Sequence, residues 1–147
     1  MNKVTDRKFK VNYYEKDDTT WVAESMLDDL EHEICLTVEM DMKTMVITDA
    51  SIRFDRFPVE HCPMIEDKAC KLIGMKVDHG FVRRAMKHFM GPKGCPNILT
   101  LLNISLPGII YYYYPHMVRT GRMTQEAWEH MIDTKLKNAC LGHTMRQ

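Results

Sequence analysis

No apolar run in this sequence reaches the ~18–20 residues that a membrane-spanning helix needs. The longest, Ile109 to Tyr114, is short and mostly tyrosine. The opening MNKVTDRKFKVNYYEK has none of the apolar core of a secretory signal. The expected location is therefore cytoplasmic, where cysteines stay reduced. Net charge is also missing, since 20 lysines and arginines match 20 aspartates and glutamates. A general nucleic-acid binder should be basic, so nucleic acid is not an expected partner, and neither is a membrane. There is no CxxC, no paired HxxxH, no zinc-finger spacing, no Walker-type loop and no dinucleotide-binding glycine loop. The five cysteines are an odd number, which speaks against a closed disulfide framework. Internal repeats, low-complexity tracts and long linkers are absent as well.

What is present is ordinary for a globular chain: 147 residues, 45% hydrophobic and 27% charged, enough for one domain over residues 1–147 with a real core. The thirteen methionines read as core filling. Strands are expected over about 8–54. Lys8 to Tyr14 alternates Phe9, Val11 and Tyr13, Asp17-Asp18 turns, and Thr19 to Met26 returns with Trp21, Ala23 and Ser25 on one face. His32 to Met40 alternates Ile34, Leu36, Val38 and Met40 against polar neighbours. Thr44 to Phe54 runs back, with a phase slip near Asp49-Ala50 that suits a bulge.

From about 63 to 140 the period becomes helical. Pro63 opens a helix that Gly74 ends, and a second starts near Asp78 and stops at Gly91-Pro92. A third begins at Pro96, and a fourth runs from Thr124 to about Ala139. The run IIYYYY is either a helical extension or a buried strand-like segment. The expected fold is α+β: an antiparallel sheet of three to four strands, then four helices packed on one of its faces.

The stretch from Pro58 to Leu102 holds three of the cysteines. Cys62 and Cys95 each directly precede a proline at an expected helix start. Such a position offers unpaired N–H groups and a partial positive charge, surroundings that favour a thiolate. Cys70 and Cys140 lie in apolar stripes and read as structural, and Cys35 falls on the polar phase of its strand and is left unassigned. His61 adjoins Cys62, and His32 stands at the mouth of the strongest strand beside Glu33. His79, His88, His116, His130 and His143 read as exposed or loop-end residues. Arg83, Arg84 and Lys87 read as a solvated helix face, and Tyr111 to Tyr114 as core or interface packing.

The order LDDLEHEICLTVEMDMKTMVITDA, HCP, KLIGMKVDHGFVRRAM, GCPNILTLL resembles a family of bacterial domains of unknown function. In that family a His-Asp-Met strand start is followed by a Leu-Thr-Val-Asp turn and a proline-and-cysteine segment. A Leu-x-Gly pair and Gly-Cys-Thr-His-Leu come next. The resemblance covers about Trp21 to Leu102 and marks His32, Cys62, Gly74, Gly80, Gly94 and Cys95. The chain departs from the pattern at Glu33, where the family usually has Asp, and at Asn97, where it often has His.

From about Glu31 to Leu102 the chain is also similar to iron–sulfur cluster assembly scaffolds of the IscU/NifU type. That likeness puts two scaffold cysteines on Cys62 and Cys95, the first scaffold cysteine near Glu31 or His32, and the scaffold aspartate on Glu33. Together the resemblances imply a metal site of His32, Glu33, Cys62 and Cys95, a set suited to zinc or an iron–sulfur cluster. Two other readings stand beside it. One is a thiol enzyme or sulfur acceptor using Cys62 or Cys95 with His32 or His61 as base. The other is a metal-free module engaging a protein partner or a second copy of the chain. Cysteines that merely fit tight helix starts are the bland alternative to all three.

Overall fold

The computed structural model describes residues 1–146. It divides into two compact units, Met1–Pro107 and the residues from Gly108 onward.

Alternation dictates the first unit. Strands β1 (Arg7–Glu15), β2 (Thr20–Asp29), β3 (Glu33–Asp41) and β4 (Val46–Arg56) form one antiparallel sheet in sequence order. Side chains of period two stack across it in rows. Leu27, Ile34 and Phe54 share one row, and Ser25, Leu36 and Ile52 the next. All six are buried. The phase slip expected near Asp49-Ala50 is real and lies one residue earlier. Glu39 pairs with Asp49 but Met40 with Ile47, so Thr48 is the extra residue of a bulge. β4 begins at Val46 because Thr44 and Met45 belong to the turn. There the Asp41 carboxylate accepts the N–H of Lys43 at 2.8 Å, and Met45 takes φ +59°. Cys35, on the opposite phase of β3, is buried, and that burial pushes its thiol pKa up.

The helices of this unit are α1 (Phe81–Phe89) and α2 (Pro96–Ser105), preceded by a 3-10 segment, Cys62–Leu72. The expected helix after Pro63 is thus helical but of the tighter kind. Met64 N–H bonds to the His61 carbonyl and Ile73 N–H to that of Cys70, each three residues back. The buried residues Ile65, Ala69 and Leu72 are spaced four and three apart, which is the stripe of an ordinary α-helix, so the spacing did not announce the tighter winding. The segment packs on β4, and the chain after it adds a short pairing to the same strand. Gly74 N–H bonds to the Ile47 carbonyl, Ile47 N–H to that of Met75, and Val77 N–H to that of Met45. α2 packs on β2 and β3, and α1 on α2. Phe81, Ala85, Phe89, Ile98, Leu101 and Leu102 seal the core. Asp78, expected as the helix cap, stands ahead of α1 instead, accepting from the Gly80 N–H at 2.8 Å and from Arg84 at 2.7 Å.

The second unit contains α3 (Ile110–Arg119), α4 (Gln125–Lys135) and the short α5 (Leu141–Thr144). The IIYYYY run is helical: Tyr113 is buried, and Tyr114 stacks on Trp128 with centroids 5.4 Å apart. The Thr124 side chain caps α4 by accepting the Ala127 N–H at 3.1 Å. Among the described residues, no helix is long and apolar enough to cross a membrane.

A candidate thiol–imidazole site

His32, Cys62 and Cys95 come from three separate stretches of chain, and the fold brings all three to the wall of one cavity of about 600 Å³. His61, Lys68, Lys93 and Asn97 also line it. Each is delivered by a local rule. Cys62 opens the 3-10 segment, with Pro63 second and still inside the first turn, where its missing N–H is no loss. Cys95 precedes α2 in extended conformation, with Pro96 in the first helical position. His32 closes the tight turn between β2 and β3, where Asp29 N–H bonds to the His32 carbonyl at 2.9 Å.

That turn is held by a network that no local pattern announces. Asp29 Oδ1 accepts the N–H groups of Glu31 at 2.9 Å and His32 at 2.7 Å, and also faces His32 Nδ1 at 3.0 Å. Arg7 donates through Nε to Asp29 Oδ2 and through Nη2 to Asn97 Oδ1, both at 2.7 Å. One guanidinium therefore ties the first strand, the His32 turn and the first turn of α2 together. Arg56 grips the same turn from β4, donating to the Asp29 carbonyl at 2.7 Å and the His32 carbonyl at 3.2 Å.

Burial pushes the Asp29 carboxyl pKa up. The hydrogen bonds from Arg7, His32 and the two backbone N–H groups outweigh that and bring it down to about 2. An ionised carboxylate only accepts, so Nδ1 of His32 carries the proton, and in the neutral ring Nε2 keeps its lone pair. Among the described residues Nε2 has no hydrogen-bond partner.

The depressed carboxyl makes a pH prediction. A folded pKa near 2 against ~3.9 unfolded stabilises the protein fully above about pH 4, and the contribution is lost as pH falls toward 2. After screening by solvent this is about 1 kcal/mol. In urea unfolding, the stability gap between wild type and Asp29→Asn should narrow by that amount from about pH 5 to about pH 2.5. A constant gap would show that the carboxylate is not what the turn depends on.

Glu33 is outside this cavity. It opens β3, and its carboxylate is 3.5 Å from Arg56 Nη1. The sequence reading also missed Arg7, Asp29 and Asn97. An Asp three residues before a His is a legible turn signal, but Arg7 and Asn97 are 90 positions apart. Cys70 and Cys140 are exposed and lie outside the cavity. Among the described residues, no three His, Cys, Asp or Glu side chains are grouped closely enough to hold a metal ion.

Fold and site define an α+β domain with a cavity carrying two thiols and a carboxylate-anchored imidazole. The chain belongs to the family of proteins of unknown function DUF2889, which it matches over residues 5–107, nearly the whole first unit. No curated protein and no solved structure matches it, and the likeness to iron–sulfur scaffolds finds no support in these comparisons.

Proposed function

We propose that the cavity is a thiol reaction site, in which the sulfur of Cys62 or Cys95 bonds to an electrophilic carbon of a small molecule. The bond from that carbon to its leaving group breaks, and His32 takes the thiol proton on Nε2 and passes it to the departing group. The observation that carries this reading is the Asp29–His32 hydrogen bond, 3.0 Å long, on a cavity shared with both cysteines. A nucleophile, a base and a group that orients the base are the three parts that nucleophilic catalysis requires. Asp29 holds the tautomer, and its ionised carboxylate stabilises the imidazolium that forms once the proton has moved. The cavity is also of a size for a small organic substrate.

The test is alkylation of the native protein by iodoacetamide at neutral pH, with each cysteine followed by mass spectrometry. Cys62 or Cys95 should react faster than Cys70 and Cys140, although those two are more exposed. If the exposed pair leads, or all react at one rate, the reading fails.

Metal binding is the second reading, favoured by the donor types on the same wall. Two thiols and an imidazole whose other nitrogen faces a carboxylate are the donors of many zinc sites. Glu33 drops out of the set implied by the sequence, because it faces Arg56. His32, Cys62 and Cys95 remain as donors, and because they are not grouped closely enough to hold an ion as they stand, the cavity wall would have to draw together around zinc or an iron–sulfur cluster. Elemental analysis of protein purified anaerobically separates the two readings. Near-stoichiometric zinc or iron, lost in both Cys62→Ser and Cys95→Ser, would favour metal, whereas metal-free protein with one fast thiol would favour nucleophilic chemistry.

A further inference from the structure

We infer that the cavity takes an anionic substrate, one that carries a carboxylate apart from its electrophilic carbon on a short apolar chain, with the carboxylate charge met by Lys68 and Lys93. This names the substrate class for the proposed reaction site and rests on that reading. Two lysines reach the wall from different elements, and no aspartate or glutamate lines it. Lys68 Nζ donates to the Lys93 carbonyl, which fixes the ammonium at the wall and leaves two of its three N–H donors for a ligand. Among the described residues neither lysine is paired with a carboxylate.

Acidic groups are close by but do not cancel this field. Asp29 and Glu31 line an adjoining cavity, and the Asp29 charge is already met by Arg7. The Cys95 side chain does not cap α2, so the positive end of that helix adds to the same bias. Ile65, Pro92 and Pro96 supply apolar wall for the rest of the molecule. A low-dielectric wall with cations of one sign concentrates anions at its mouth.

The test uses a matched pair, hexanoate and hexanamide, titrated into the full chain at low salt while backbone amide shifts are followed. Hexanoate should bind about fivefold more tightly than hexanamide, the scale of one exposed ion pair. Its shifts should fall on residues 61–68 and 93–97. The preference should shrink in about 0.5 M salt and fall in both Lys68→Gln and Lys93→Gln. Equal binding, tighter hexanamide, shifts elsewhere, or no saturable shift with either ligand would each overturn the inference.

Neither ligand reacts with thiols, so the two ideas fail separately. A carboxylate preference with sluggish Cys62 and Cys95 would sink the thiol chemistry and keep the anion site. A fast thiol without the preference would do the reverse.

Discussion

Gly94→Ala is expected to destabilise the first unit by about 3 kcal/mol, a large value for adding one methyl group. The reason is backbone against backbone. A Cβ at position 94 would press on the carbonyl carbon and oxygen of Phe89 and stand 2.5 Å from the Met90 nitrogen. No side chain can swing aside to relieve that contact. The approach is fixed from both ends: Cys95 N–H bonds to the Phe89 carbonyl at 2.9 Å, and Gly94 N–H to that of Gly91 at 3.0 Å. Phe89 is fully buried, so the helix cannot easily yield. Relief must come from moving Gly94 and Cys95 outward, which also displaces the thiol from the cavity wall.

Gly108→Ala is the control. Nothing lies within 4 Å of a Cβ there, so that change should be neutral, or stabilising by up to about 1 kcal/mol through the unfolded chain. Urea unfolding of the two variants measures the contrast. If Gly94→Ala unfolds with wild type, the close approach is relaxed in solution and the glycine is not what seats Cys95.

The same turn shows how far the sequence could be read. Cys95-Pro96 announced a helix start, and β-type alternation announced a sheet of three to four strands over about 8–54, in which Ser25, Ile34 and Leu36 are buried as their phase requires. Such rules are local, with periods of two or about three and a half residues, and local rules survive without a structure. Cys62 and Cys95 were singled out from local context and His32 through the resemblances, and the three line one wall.

Other features depended on distant residues. Glu33 entered the set as the position of the scaffold aspartate, yet its carboxylate is 3.5 Å from Arg56 and it does not line the cavity. The Arg7 bridge to Asp29 and Asn97 needs the sheet and α2 to be assembled before its ends are near one another. Asn97, which stands where the resembling family often has His, spends its side-chain oxygen on Arg7. The 3-10 geometry of Cys62–Leu72 was hidden for another reason: its buried residues Ile65, Ala69 and Leu72 keep the four-and-three spacing of an α-helix.

His32→Gln should slow alkylation of the reactive cysteine about 100-fold at neutral pH, the scale of losing a positioned general base. Asp29→Asn should slow it about tenfold, the smaller effect of losing the group that orients the base. An asparagine at 29 cannot serve both neighbours. With its oxygen toward His32 Nδ1, the amide N–H₂ meets the Arg7 Nε–H, donor against donor. With the amide reversed, the N–H₂ faces the imidazole N–H and the backbone donors of Glu31 and His32. The first orientation frees the turn from Arg7, and the second releases the ring from its fixed tautomer.

Cys70 and Cys140 provide the internal reference, being exposed and outside the cavity. Their rates should not change in either variant. Loosening of the fold would raise them, whereas loss of the base would leave them alone and slow only the cavity thiol. Equal rates at Cys62 and Cys95 in wild type, His32→Gln and Asp29→Asn would mean that the imidazole takes no proton from either thiol. The Asp29–His32 pair would then serve the β2–β3 turn, and the metal reading would be the one left to pursue.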